Sequence, residues 1–89
     1  MIIEVYGKQG CGLCESAKKK INHVLSKLAL QDNVTLVFQD METVDGAAEG
    51  DFHDVFDIPS VLLKDDDTVV ARWDGQAPPS DQLRARLCA

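Results

Sequence analysis

The hydrophobic positions of this chain form two kinds of pattern. Four short stretches rich in aliphatic, β-branched or aromatic residues predict β-strands at residues 2–6, 34–38, 60–64 and 68–73. Between the first two stretches, apolar residues recur at spacings of three or four from Gly12 to about Leu30, which predicts an amphipathic helix. The apolar positions of this helix are Leu13, Ala17, Ile21, Val24, Leu25 and Leu28.

Two further helices are predicted in the second half of the chain. Phe52, Val55 and Phe56 indicate a short helix with an apolar side, beginning near residue 45 or 47. The last helix begins within residues 78–81, because proline is tolerated in a first turn and Ser80 or Asp81 can cap the N-terminus. The residues expected to dock this helix are Leu83 and Leu87.

These elements follow the order β-α-β-α-β-β-α. The first strand–helix–strand unit makes its two strands parallel, and the acidic loop at residues 65–67 makes the last two strands an antiparallel hairpin. The predicted fold class is therefore α/β, with a four-stranded mixed sheet that carries helices on its faces. A chain of 89 residues provides one core, so we expect a single domain over residues 1–89.

The distribution of charge argues against two classes of partner. The formal net charge is −6: residues 1–31 carry five lysines and two glutamates, whereas residues 32–89 carry four basic and thirteen acidic residues. Nucleic acids and anionic membranes are negative, so we expect neither as a partner. No apolar run is long enough to span a bilayer, and the N-terminal stretch lacks the basic region of a signal peptide. We expect an intracellular, cytoplasmic protein that is a monomer.

A Cys-x-x-Cys motif, Cys11-Gly12-Leu13-Cys14, lies where the first strand gives way to the first helix. The unpaired N–H groups and the dipole at a helix N-terminus favour a thiolate, so two thiols here suit a redox dithiol. Three cysteines are an odd number, which speaks against a disulfide scaffold. Zinc-binding proteins share the same spacing, and the motif alone therefore leaves a redox site and a metal site open.

The element order and this motif together resemble the thioredoxin fold. An X-Pro pair, Ile58-Pro59, directly precedes the third strand, as in that superfamily. The first strand lies directly before the dithiol, which is similar to the small glutaredoxin-like branch. The resemblance covers essentially the whole chain and implies a three-layer α/β/α architecture. It also implies a cis peptide bond before Pro59, facing the dithiol.

The resemblance also implies roles for individual residues. Cys11, at the tip of the helix, is expected to be the exposed nucleophile, and Cys14 is expected to resolve the mixed disulfide. Lys8 is expected to add positive potential near Cys11, and the backbone of Ile58 to pair with an extended substrate segment. The predicted catalytic residues are Cys11 and Cys14, and the predicted substrate-binding residues are Lys8, Gly12, Leu13, Ile58 and Pro59.

The activity that the resemblance implies is thiol–disulfide exchange without a bound cofactor, with glutathione or a protein reductase as the electron donor. Glutaredoxins carry a Gly-Gly pair after the fourth strand, whereas this chain has only Gly75 there. Residues 40–57 contain seven acidic residues and no Lys or Arg, which repels anionic glutathione and accommodates a neutral or basic protein. We therefore expect a protein disulfide as the substrate, with a glutathione mixed disulfide as the alternative.

Two other functions stay open at the level of the sequence. The same cysteines could bind a metal or an iron–sulfur cluster, or the chain could be an interaction module that uses its acidic face. A closed four-ligand zinc site would need Cys88 or a distant histidine, because no second Cys-x-x-Cys is present. We expect no metal ligand: Cys88 is interpreted as a terminal thiol, His23 and His53 as surface residues, and Trp73 as the edge of the core.

Overall fold

The computed structural model describes residues 1–88, which form four strands and three helices in the predicted order. The strands are β1 (Ile2–Gly7), β2 (Thr35–Asp40), β3 (Ser60–Asp65) and β4 (Thr68–Trp73). The helices are α1 (Gly12–Lys27), α2 (Val44–Phe52) and α3 (Ser80–Leu87). Within residues 1–88, no helix combines the length and the apolar character that a membrane crossing requires.

The four strands form one mixed sheet in the order β2-β1-β3-β4, which confirms the predicted fold class. β1 runs parallel to β2, with Gly7 opposite Asp40, and antiparallel to β3, with Tyr6 opposite Ser60. β3 and β4 form the antiparallel hairpin, in which Trp73 pairs with Val61. The last residues of β1, β2 and β4 and the first residue of β3 therefore lie together, at what we call the Gly7 end of the sheet.

The main core lies between the sheet and helices α1 and α3. Alternate residues of β1 and β3 face this side, because successive side chains of a strand point to opposite faces. Leu83 is fully buried and Leu87 partly buried against this core, which confirms the predicted docking of α3. The buried members of the core are Ile3, Val5, Ile21, Val24, Leu25, Val34, Val61, Leu63, Trp73 and Leu83.

Helix α2 covers the other face of the sheet above a smaller core, made of Tyr6, Val55 and Leu62. The two glycines of α2 are buried and allow the helix to lie close to the chain that leads into it. A Cβ atom on Gly46 would overlap the carbonyl group of Asp40, and one on Gly50 would collide with the Met41 side chain. Glycine has a low helix propensity, but the close packing of α2 requires glycine at positions 46 and 50.

Three apolar residues that the periodicity predicted on buried helix faces are exposed. Leu13 is 71% exposed, Phe52 79% and Phe56 87%. In the first turn of α1 the inward position is occupied by Cys14, so Leu13 faces solvent. Helix α2 ends at Phe52, so Val55 and Phe56 lie outside it, and of these two residues Val55 is buried and Phe56 is exposed.

Two helix ends also differ from the prediction. Helix α1 ends at Lys27 rather than near residue 30, because Ala29 adopts a left-handed conformation with φ of 55°. Leu30 N–H then donates to the Leu25 carbonyl at 2.9 Å and Ala29 N–H to the Ser26 carbonyl at 3.1 Å, which is the Schellman arrangement. The predicted capping of α3 by Ser80 or Asp81 is wrong: Pro79 is the N-cap residue, and no side chain caps this helix.

Candidate active site

Cys11 is the N-cap residue of α1. β1 ends at Gly7, and a short loop in which Gly10 has φ of 76° brings the chain to the start of the helix. Cys11 has an extended backbone, and its sulfur accepts a hydrogen bond from the backbone N–H of Cys14 at 3.2 Å. Sulfur here takes the place that a Ser or Asp oxygen usually has at a helix start. The Cys11 sulfur therefore lies at the positive end of the helix dipole.

The second cysteine lies directly behind the first. The sulfur atoms of Cys11 and Cys14 adjoin as a disulfide pair, and the Cα atoms are 5.2 Å apart. Cys11 is partly exposed, whereas the Cys14 side chain is fully buried. Only one of the two sulfurs is therefore accessible to another molecule.

Gly7 belongs to the site, although it is not among the site residues predicted from the sequence. A Cβ atom at Gly7 would lie 2.6 Å from the Cys14 sulfur and 3.2 Å from Cε1 of Phe38. The end of β1 thus forms the wall behind the buried cysteine, and only glycine leaves room for it. In the sequence, the one indication of this role is that Gly7 lies between the first predicted strand and the Cys-x-x-Cys motif.

Lys18 is a second residue whose surroundings the helix pattern did not reveal. Its ammonium group lies 4.2 Å from the centre of the Phe38 ring and 2.9 Å from a Glu15 carboxylate oxygen. A cation over an aromatic face is attracted to the ring. This side chain, which is not one of the apolar positions predicted for the helix, is therefore packed against the ring that lies beside Gly7.

The loop before β3 reaches the same end of the sheet as the dithiol, because Ser60 pairs with Tyr6. The Ile58–Pro59 peptide bond in this loop is cis. The Ser60 hydroxyl donates to the Asp57 carbonyl at 2.6 Å and accepts from Gly75 N–H at 3.1 Å. These two hydrogen bonds hold the loop before β3 against the segment after β4.

The residues predicted to bind substrate are distributed around this end of the sheet. Lys8, Gly12 and Leu13 are exposed and flank Cys11 in sequence. Ile58 is half-buried and Pro59 is buried, in the loop before β3. The topology therefore brings the two groups to one end of the molecule, although they are separated along the chain.

A buried carboxylate lies on the opposite face of the sheet. Glu4 accepts hydrogen bonds from Tyr6 Oη and Gln39 Nε2, both at 3.0 Å, and pairs with Lys64 Nζ at 2.8 Å. Burial raises the pKa of Glu4, but the hydrogen bonds from Lys64, Gln39 and Tyr6 and the charge of Lys64 together hold it below its ordinary value. Burial and the nearby Glu4 carboxylate raise the pKa of Tyr6. Cys14 packs on the α1 side of the sheet, whereas this network lies on the α2 side, because successive side chains of β1 point to opposite faces.

The remaining cysteine and the histidines do not join the dithiol. Cys88 is exposed at the C-cap of α3, and His23 is exposed on α1. The imidazole of His53 is mostly buried and makes edge contacts with Tyr6 and Phe52. Within residues 1–88, no three His, Cys, Asp or Glu side chains are grouped so that they could hold a metal ion.

Comparisons with known proteins agree on the family and the fold. The family model described as "Glutaredoxin-like domain (DUF836)" matches residues 2–87. No curated protein matches the chain.

Three solved structures have a similar fold. A malarial protein superposes with a TM-score of 0.78 at 17% identity, over 98% of this chain and 92% of that one. Thioredoxin 1 from Thermosipho africanus superposes with a TM-score of 0.74 at 16% identity, over 98% and 90% of the two chains. Oxidized thioredoxin O2 from Arabidopsis thaliana gives a TM-score of 0.74 at 15% identity, over 97% and 70%. At this level of identity the similarity shows a thioredoxin-like fold.

Proposed function

Because the chain belongs to the family of glutaredoxin-like domains described as DUF836, we propose that it is a thiol–disulfide oxidoreductase that acts on protein disulfides. The observation that supports this most directly is the hydrogen bond from Cys14 N–H to the Cys11 sulfur at 3.2 Å. A backbone donor and a helix N-terminus both stabilise a thiolate, which is the nucleophile in disulfide exchange. The partial exposure of Cys11 makes it the sulfur that meets the substrate.

In the proposed reaction, the Cys11 thiolate attacks one sulfur of a substrate disulfide. A Cys11–substrate disulfide forms, and the other substrate sulfur leaves as a thiolate. Cys14 then loses its proton and attacks the Cys11 sulfur, so that the Cys11–Cys14 disulfide forms and the second substrate sulfur leaves. The substrate gains two electrons and, with protons from Cys14 and solvent, becomes a dithiol.

We propose that two groups of residues bind the substrate, one on each side of the dithiol. Lys8, Gly12 and Leu13 would contact the substrate beside Cys11, and the Ile58 backbone together with Pro59 would hold its extended segment from the other side. All five residues lie at the Gly7 end of the sheet, as the strand pairing requires. The cycle needs no resident cofactor, since a protein dithiol or glutathione can reduce the Cys11–Cys14 disulfide again.

Reduction of insulin by a chemical dithiol tests this proposal. The wild-type chain should accelerate the reduction, Cys11→Ser should abolish the acceleration, and Cys14→Ser should accumulate a mixed disulfide that mass spectrometry detects. Cys88→Ser is the matched control and should keep the wild-type rate, because Cys88 lies outside the dithiol.

Two results would contradict the proposal. A wild-type chain that accelerates neither the reduction of insulin nor that of a peptide disulfide is not an oxidoreductase of this class. Stoichiometric zinc or a coloured cluster in protein purified without oxygen, together with no exchange activity, would instead assign the cysteines to metal binding.

A further inference from the structure

Exposed apolar side chains lie in the segments that adjoin the Gly7 end of the sheet. Leu13 is 71% exposed, Val44 86% and Phe56 87%. They belong to three different segments: Leu13 follows β1, Val44 follows β2, and Phe56 precedes β3. Because these three strand termini meet at the Gly7 end of the sheet, the three side chains lie around the same end. We call Leu13, Val44 and Phe56 the apolar rim.

Acidic side chains are interspersed with this rim. They come from the same connecting segments, and the ones outside regular strands are exposed. The acidic residues at or next to the Gly7 end are Asp40, Glu42, Asp45, Asp54, Asp57 and Asp74. The basic residues there are Lys8, Lys18 and Arg72. Lys18 is paired with Glu15 at 2.9 Å, and the Arg72 guanidinium is bound by the Asp74 carboxylate at 2.8 Å and the His53 carbonyl at 2.8 Å. Acidic groups therefore outnumber basic groups at the Gly7 end of the sheet.

A shallow groove next to the Ile58–Pro59 loop concentrates these features. It has a volume of about 380 Å³, and its lining residues are Asp54, Phe56, Asp57, Arg72 and Asp74. Arg72 neutralises Asp74, whereas the Asp54 and Asp57 carboxylates form no ion pair with any residue in the described part of the chain. The groove therefore offers, beside an exposed aromatic ring, two carboxylates that form no ion pair within residues 1–88, although the Arg72 charge partly offsets that of Asp54.

This combination matches one class of side chain. A guanidinium or ammonium group pairs with the two carboxylates and is attracted to the face of the Phe56 ring. The apolar rim supplies contact area for the substrate residues on either side, as large exposed apolar patches do at interaction sites. An anionic thiol compound such as glutathione meets like charge on the same surface.

We propose that the substrate is a protein disulfide flanked by lysine or arginine, docked on the apolar rim with one basic side chain in the groove of Asp54 and Asp57. This inference rests on the proposed function, because it names the substrate class of the same dithiol. Since the groups are exposed, the attraction acts mainly on encounter and binding and weakens with salt. It therefore raises kcat/KM through KM and leaves the chemistry of Cys11 unchanged.

Two peptides that differ only in charge provide the test. Each contains one intramolecular disulfide with the same apolar neighbour, flanked by arginines in one peptide and by glutamates in the other. At low ionic strength we expect kcat/KM to favour the arginine peptide by roughly tenfold, a ratio that falls as salt screens the charges. Glutathione disulfide should be the poorest substrate.

Charge-neutralising variants locate the effect. Asp54→Asn with Asp57→Asn should lower the preference for the arginine peptide by roughly three- to tenfold, the range for two exposed pairs. Asp66→Asn with Asp67→Asn removes the same charge at the β3–β4 hairpin, at the other end of the sheet. The match is close, because Asp54 and Asp66 have nearly the same backbone conformation, with φ of 55° and 54°. This control should keep the wild-type preference.

The outcomes separate this inference from the proposed function. Equal kcat/KM for both peptides, with insulin still reduced, overturns the basic-substrate inference and leaves the oxidoreductase in place. An equal loss of preference in the groove variant and the hairpin variant also overturns it, since net charge rather than the groove would then act. Failure to reduce both peptides and insulin overturns the proposed function, and with it this inference.

Discussion

Among single residues, Gly7 has the least room for a side chain beside the dithiol. A methyl group there would lie 2.6 Å from the Cys14 sulfur and 2.9 Å from its Cβ atom, well inside van der Waals contact. Gly7→Ala should therefore displace Cys14 and lower the free energy of unfolding by about 1–3 kcal/mol, the usual range for overpacking. Urea denaturation of the oxidised protein measures this change.

Gly12→Ala is the matched control for Gly7→Ala. The same methyl group at Gly12 meets no atom within 4 Å, and Gly12 is the first residue of α1. Alanine favours a helix over glycine, so the free energy of unfolding should stay the same or rise slightly. Equal losses in the two variants would show that Cys14 is not held against Gly7.

The Glu4 carboxylate predicts how stability depends on pH. Burial opposes its charge, but Lys64, Gln39 and Tyr6 together lower its pKa below the ordinary 4.5. The unfolded chain therefore binds this proton at a higher pH than the folded chain does. The stabilising contribution is complete above pH 4.5 and is lost as the pH falls through the lowered pKa.

Glu4→Gln tests this dependence. The variant removes the carboxylate that pairs with the partly buried Lys64, so at neutral pH it should be less stable by about 1.5–3 kcal/mol, the range for a hydrogen bond to a charged group. Its free energy of unfolding should also fall less steeply than that of the wild type from about pH 5 to about pH 3. Asp67→Asn, which alters an exposed carboxylate, should keep the wild-type slope. A wild-type slope in Glu4→Gln would refute the assigned pKa direction.

At the scale of elements, strands and helices were predictable because their periodicities differ. Alternation and apolar runs identified all four strands, and spacings of three and four identified α1. The ends were harder to predict, since they depend on single backbone conformations. Ala29 ends α1 by a left-handed turn that residue type does not indicate, and Gly46 and Gly50 support α2 through contacts made only after folding.

The left-handed conformation of Ala29 at the end of α1 leads to a prediction about stability. Ala29 has φ of 55°, where a side chain is unfavourable and glycine is usual. Ala29→Gly should raise the free energy of unfolding by about 0.5–1 kcal/mol, because relief of strain exceeds the added entropy of the unfolded chain. The contrasting variant is Lys20→Gly, at an exposed position inside α1. This variant should lower the free energy of unfolding by about 1 kcal/mol. A loss of stability in Ala29→Gly would show that this turn carries no strain.

Only part of the candidate site was predictable, because some of its residues form local sequence motifs and others reach the site only through folding. Cys11, Cys14 and Ile58-Pro59 are visible in the sequence because each is a distinctive local motif. Their neighbours are not, since Gly7, Phe38 and Lys18 reach the site through packing between β1, β2 and α1. Burial also depends on which turn of a helix meets the sheet, and this is why Leu13 and Phe56 were wrongly expected on apolar helix faces.

At the scale of the whole molecule, the sheet separates two cores of unequal size. Within residues 1–88, the core between the sheet and helices α1 and α3 has ten buried residues, whereas the core on the other face has three, Tyr6, Val55 and Leu62. Local stability follows the number of buried apolar contacts. Helix α2 and the segment after it should therefore open more readily than β1, β3 and α1.

Leu62 and Leu63 test this division, since they are adjacent in β3, fully buried and on opposite faces of the sheet. Leu63→Ala leaves a cavity in the main core and should lower global stability by about 2–5 kcal/mol. Amides of β1, β3 and α1 should then exchange faster by one common factor. Leu62→Ala leaves its cavity in the smaller core beside Val55, which follows α2, so the amides of α2 and of the segment after it should accelerate more than those of α1. Native-state hydrogen exchange measures both patterns, and the same uniform acceleration in both variants would mean that the two faces unfold as one unit.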